Sequence, residues 1–154
     1  MSNNFINSSL SKNEKVLHTY KLHWIVWVKV VIFGLIGLGL LQVHGLGFAG
    51  GLILLVTLFS VLGIIGTEYG VTNSRIIGKS GFIFRKNVDL RLKKVESVIL
   101  DQSILGRLFG YGHVVFNGTG SGKSGFLFIE NPTLAKNQIN QIIENIENEE
   151  SKRN

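Results

Sequence analysis

The chain has 154 residues, 45% of them hydrophobic and only 17% charged, which excludes a disordered polar chain and leaves room for one small domain or for a membrane anchor plus a smaller one. No cysteine is present, so disulfides, thiolate zinc sites, iron–sulfur clusters and a thiol nucleophile are excluded. The formal net charge of +6 suits an anionic partner, either nucleic acid or an anionic membrane surface, and composition alone does not choose between them.

Residues 1–23 are mostly polar and read as an N-terminal segment. From Trp24 to Val43 run twenty residues with one charge, Lys29, and from Leu46 to Gly66 run twenty-one with none. At 1.5 Å per residue each run is about long enough for a hydrocarbon core of roughly 30 Å. Between them lie His44 and Gly45, so the spacing predicts an antiparallel transmembrane hairpin over residues 24–66, both outer ends on one side. A cleaved signal peptide fits poorly, because polar residues precede the first run and a second run follows it. The linker carries no Lys or Arg, whereas Lys12, Lys15 and Lys21 precede the hairpin and Arg75, Lys79, Arg85 and Lys86 follow it. The positive-inside rule then places both termini in the cytosol and the protein, as a multi-pass chain, in the cytoplasmic or inner cell membrane. Trp24 and Trp27 stand where an aromatic belt would, and Lys29 is close enough to that end to snorkel back to it. A transport role for Lys29 is the competing reading. Gly47 and Gly51 have a GxxxG spacing, and Gly34, Gly37 and Gly39 add small residues on the other helix. They point to a hairpin packed on itself more than to a dimer.

After Gly66 the pattern changes to short strands with turn signals, a small β domain over residues 67–148. Strands are expected at Thr67–Thr72, Arg75–Lys79, Phe82–Arg85 with continuation through Val88–Leu92, and Val95–Leu100. Ser103–Phe109 has a helical look, broken by Gly110-Tyr111-Gly112. His113–Phe116 and Phe126–Ile129 flank a glycine-rich loop and should pair. Asn131 and Pro132 have the N-cap and N1 preferences of a final helix, with Leu134, Ile139, Ile142, Ile143 and Ile146 as its apolar stripe. Residues 149–154 read as a solvated tail. Four acids crowd the last eleven residues.

The run from Thr67 to Pro132 resembles the bacterial pleckstrin-homology-like domains. The pieces are Thr67-Glu68, Val71-Thr72-Asn73-Ser74-Arg75-Ile76-Ile77, Val95-Glu96-Ser97-Val98 and Gln102-Ser103-Ile104-Leu105-Gly106-Arg107-Leu108. Then follow Gly110-Tyr111-Gly112, Gly118-Thr119-Gly120 and Asn131-Pro132. A two-helix hairpin ahead of such a domain is typical of the family's membrane-anchored form. The resemblance implies a mainly-β fold, a bent barrel or sandwich capped by a C-terminal helix. It implies no reaction, and the phosphoinositide binding of eukaryotic domains of this fold is not carried across.

Motifs for chemistry are weak. Gly120-Ser121-Gly122-Lys123-Ser124 looks like the end of a phosphate-binding loop, but G-x-x-x-x-G-K-[ST] needs a glycine where Asn117 stands. The residues after it read as a strand, where a P-loop needs a helix N-terminus. His18, His23, His44 and His113 are too scattered to pair on a metal, and no serine–histidine pairing stands out. Asn117-Gly118-Thr119 matches a glycosylation sequon that a cytosolic face would leave idle. We therefore expect no catalytic residue, cofactor or metal.

Two places remain. Arg75, Lys79, Arg85, Lys86, Arg91, Lys93 and Lys94 are seven bases within twenty residues, opposed only by Asp89, and form a candidate anionic-surface site. A solvated strand face is the competing reading; Phe82 and Phe84 alternate as core residues would, so nucleic acid is not the expected partner. Ile104, Leu105, Arg107, Leu108 and Phe109 form a candidate partner groove, against a helix that merely covers the barrel. The expected function is a non-enzymatic binding or assembly module docking a protein partner or itself. The alternatives are an anionic-lipid sensor at the inner leaflet and a small subunit of a transport or envelope-defence complex.

Overall fold

Alternation of apolar and polar residues builds strands, and burial of one face of each strand decides how they stack. The computed structural model describes residues 4–81, 86–119 and 122–152. In chain order the elements are α1 (Asn4–Ser8), β1 (Val16–Tyr20), α2 (Ile25–Leu41), α3 (Gly47–Ile65), β2 (Glu68–Thr72), β3 (Arg75–Ser80) and β4 (Lys86–Arg91). A 3₁₀ turn (Leu92–Lys94) leads to β5 (Val95–Asp101), α4 (Ile104–Phe109), β6 (Tyr111–Gly118), β7 (Gly122–Glu130) and α5 (Pro132–Ser151). Among the described residues the strands form two antiparallel sheets, β1-β2-β3-β4 and β5-β6-β7. The expected strand start at Phe82–Arg85 lies outside the described residues.

The inner faces of the sheets meet in one core. Tyr69, Val71, Ile76 and Leu90 come from the first sheet, and Val114, Phe116, Phe126 and Ile129 from the second. The Phe126 ring stacks on Tyr69 at 4.6 Å and meets Phe116 edge-on at 5.0 Å. Gly78 lies against this cluster, where a Cβ would come within 2.9 Å of the Tyr69 ring. Ala135 and Ile139 of α5 close the open end, both fully buried, with Ile142, Ile143 and Ile146 packed beside them. Leu134, expected in this stripe, is 56% exposed. It stands one residue, about 100° of helix, from Ala135, which takes its place in the buried series between Pro132 and Ile139. Asn131 caps the helix through its backbone: at φ 48° its carbonyl accepts the Ala135 N–H at 3.1 Å. The helix runs on through Ser151, past the expected start of a frayed tail.

The N-terminal segment is part of this domain. β1 pairs along β2 in register from His18↔Val71 to Tyr20↔Tyr69. α1 covers the outer face of the same sheet. Ile6 is 1% exposed, and a Cβ on Gly70 would meet it at 2.9 Å. Glu68 accepts the Phe5 and Ile6 N–H groups at 3.0 and 3.3 Å, a carboxylate on the free donors of a helix start. Strand β1 carries His18 and Thr19 and little alternation, which is why it does not stand out beside the apolar run that follows.

α2 and α3 form the expected antiparallel helical hairpin. Their closest approach is at Gly37 and Gly50: a Cβ on Gly50 would lie 2.8 Å from the Gly37 carbonyl oxygen. Gly34, Gly39, Gly47 and Gly51 face open space, so the GxxxG pair is not the packing contact. α3 is long and apolar enough to cross a membrane, and α2, with 17 residues, is shorter. Outward side chains such as Leu35 and Phe48 are 65% and 88% exposed.

Candidate ligand-binding groove and docking surfaces

Arg75, first of the candidate cations, is committed within the fold. Its Nε donates to Glu14 Oε1 at 2.9 Å and its Nη2 to Glu14 Oε2 at 3.0 Å, a two-pronged pair. Nη2 also donates to the Ser9 carbonyl at 2.6 Å, and Nη1 to Asp89 Oδ2 at 2.7 Å. Thr72 Oγ1 donates to Glu14 Oε1 at 2.7 Å. The Arg75 hydrogen bond holds the Glu14 carboxyl down to about 2, and Glu14 in turn raises the Arg75 guanidinium. This network fastens the N-terminal arm to the sheet.

The other bases are spread along the sheet and do not gather in one patch. The hairpin joins the first sheet at the end where Tyr20 pairs with Tyr69 and Glu68 with Lys79. Lys79 and Lys86 stand at that end, since Ser80 pairs with Lys86. Lys79 Nζ sits 5.3 Å from the Phe5 ring centroid and directly opposite Glu68. Arg75 pairs with Arg91 at the other end, four to five residues or roughly 13–17 Å further along the strands. Lys93 and Lys94 follow Arg91 in the 3₁₀ turn. That distance exceeds a Debye length of about 8–10 Å. Arg85 lies outside the described residues.

The hairpin is mounted on a β-bulge. β6 and β7 slip register between Gly112 and Val114, so Leu127 and Phe128 together oppose His113. Phe128 adopts φ 52°, an unusual conformation for a bulky residue. Its N–H donates to His113 Nδ1 at 3.0 Å, and its carbonyl accepts the His23 N–H at 2.7 Å. Leu22 bridges Ile129 and the Glu130 N–H donates to the Lys21 carbonyl at 3.0 Å. Residues 20–22 thus leave the first sheet and join the second just before α2. Tyr20 donates its hydroxyl to Gln138 of α5 at 3.4 Å, and burial pushes its pKa up to about 12.

Between the hairpin and the β domain lies a groove of about 680 Å³. Phe33, Leu52 and Ile53 line one end, and Thr67, Ser80 and Phe128 the other, with Lys29 on the wall. The Lys29 ammonium sits 5.3 Å from the Phe128 ring centroid. Sequence reasoning singled out Lys29 but missed the groove, because the bulge that aims Phe128 has no mark in the Phe126–Ile129 alternation.

The candidate partner helix α4 is capped by Ser103, whose Oγ accepts the Gly106 N–H at 3.1 Å, and ends at Gly110 with φ 79°. Ile104, Leu105, Leu108 and Phe109 are 86%, 59%, 75% and 46% exposed. Phe109 meets the Trp24 ring edge-on at 6.2 Å, so this apolar face adjoins the foot of α2. Arg107 lines a separate polar groove with Gln102, Asn137 and Gln141, and the five candidate residues do not form one cleft. Lys123 lies on strand β7, where a P-loop requires a helix; Gly120 and Ser121 lie outside the described residues.

No curated protein and no solved structure matches the chain. The family described as bacterial PH domain matches residues 17–150, a span that begins within β1 and takes in both hairpin helices and almost all of α5. Two stacked antiparallel sheets closed by a C-terminal helix are what the resemblance led us to expect, and the chain belongs to the bacterial PH domain family.

Proposed function

We propose that the protein is a membrane-anchored, non-enzymatic binding module. α2 and α3 cross the cytoplasmic membrane as a hairpin, and the β domain at the cytosolic surface docks a protein partner or a second copy through α4. One observation carries this reading. Large exposed apolar side chains are concentrated on α2, α3 and α4, and the sets meet where Trp24 touches Phe109. An apolar hairpin face fits a lipid solvent, and a short apolar helix beside its foot fits a protein surface approaching along the membrane.

The test is chemical cross-linking and size-exclusion chromatography of the detergent-extracted full chain. Wild type is expected to run as a complex, and Leu108→Glu to disperse it. Leu108 is 75% exposed, so the variant should keep its unfolding free energy within about 0.5 kcal/mol of wild type. A wild-type chain that runs alone, or a Leu108→Glu chain that still runs as a complex, defeats the reading.

A further inference from the structure

We infer that the groove between the hairpin and the β domain is a binding site for one anionic phospholipid, its acyl chain along α3 and its headgroup at Lys29. This rests on the membrane anchoring proposed above. The groove runs along α3 from Leu52 to Ile64, about 18 Å at 1.5 Å per residue. One leaflet of a roughly 30 Å hydrocarbon core is about 15 Å deep, so the groove is the length of one lipid chain. Its volume of about 680 Å³ falls within the ~300–1,000 Å³ of small-molecule sites.

The lining is graded as an amphiphile requires. Phe33, Leu52 and Ile53 make the deep end apolar. Thr57 and Ser60, further along, donate their hydroxyl protons to their own helix, at the Ile53 and Val56 carbonyls, at 2.8 and 3.0 Å. Thr67, Ser80 and Gly81 make the shallow end polar, at the foot of the hairpin. Lys29 carries the one charge among the described lining residues, and no carboxylate stands there to neutralise it. A cation held over the face of Phe128, in a wall with no other charge among the described residues, selects an anion. The groove also opens directly onto the exposed apolar sides of α2 and α3, so a lipid enters from the bilayer without crossing water. A free phosphate ion meets the same charge but leaves the apolar length empty.

Full-length protein in nanodiscs of equal phosphatidylglycerol and phosphatidylcholine, released gently into native mass spectrometry, tests this. Wild type should retain one phosphatidylglycerol per chain. Lys29→Gln should cut the preference for it about fivefold, as expected of one charge at a lipid surface, while Lys29→Arg keeps it. Gly63→Leu should abolish retention of either lipid. A Cβ at Gly63 meets nothing within 4 Å, so the new side chain fills the groove, and leucine favours the helix. Inorganic phosphate added to 10-fold excess over lipid should displace nothing.

Equal retention of both lipids by wild type, unchanged retention in Lys29→Gln or Gly63→Leu, or displacement by phosphate overturns the site. Carbonate extraction of cell membranes carrying the same full-length chain separates this from the anchoring. A wild-type chain released to the supernatant breaks the anchoring, whereas a chain kept in the pellet without phosphatidylglycerol breaks only the lipid site.

Discussion

The β domain and the helical hairpin use similar apolar residues in opposite ways. In the domain, Val71, Ile76, Phe116 and Phe126 are all fully buried; in the hairpin, Leu35, Phe48 and Leu58 are 65%, 88% and 58% exposed. Two packed sheets and a capping helix provide enough neighbours to remove side chains from water. Two helices joined by a short turn provide one contact face, and here glycines occupy its closest point. The difference teaches that the domain carries its own solvent-excluding interior while the hairpin leaves most of its apolar surface exposed, the surface that the proposed membrane insertion would cover.

The largest test of this contrast compares two phenylalanines. Phe116→Ala should cost about 3–5 kcal/mol of domain stability, read as a fall in the denaturant midpoint, because a sealed cavity remains. Phe48→Ala should leave domain stability within about 0.5 kcal/mol of wild type. Next, two leucines of comparable exposure, Leu58 at 58% and Leu17 at 45%, sharpen it. Leu58→Arg should cost about 3 kcal/mol of membrane insertion and raise the carbonate-soluble fraction; Leu17→Arg, on a strand face in water, should not change it.

Arg75→Ala should cost about 2–4 kcal/mol, since it strands the Glu14 carboxylate, whose side chain is only 3% exposed. The same network has a pH signature. The Glu14 pKa lies near 2 in the fold and at 4.5 without its partners, so its contribution is present in full above about 4.5. It fades as pH falls towards 2. Pepsin cleavage within residues 4–15 should therefore accelerate across that window in wild type and show no such onset in Glu14→Gln. The smallest effect separates glycines. Gly50→Leu should overpack the hairpin by about 1–3 kcal/mol, whereas Gly51→Leu, facing open space, should be neutral to hairpin association.

Local signals made much of this architecture readable. Apolar runs of twenty residues announced the helices, and Asn73-Ser74, Gly110 and Pro132 punctuated the strands and α5. The bases from Arg75 to Lys94 looked like one cluster because they are close along the chain. The strand register separates Arg75 and Arg91 from Lys79 and Lys86, and no composition count contains that register. Glu14 was equally silent. Its meaning comes from Arg75, sixty-one positions away, and from the arm that brings the two together. Phe128 was hidden for another reason. A bulge is a mismatch between two strands, so neither strand alone reveals it.

The pairing of Tyr20 with Tyr69 has a practical corollary. Since those residues are neighbours across a ladder, everything between them is topologically an enlarged β-turn, and both helices are an insertion into it. Excising residues 24–66 and closing the gap with a few glycines and serines leaves the interstrand ladders of both sheets, Leu22 against Ile129 included, with their partners. The excised form is a route to a water-soluble version of the domain.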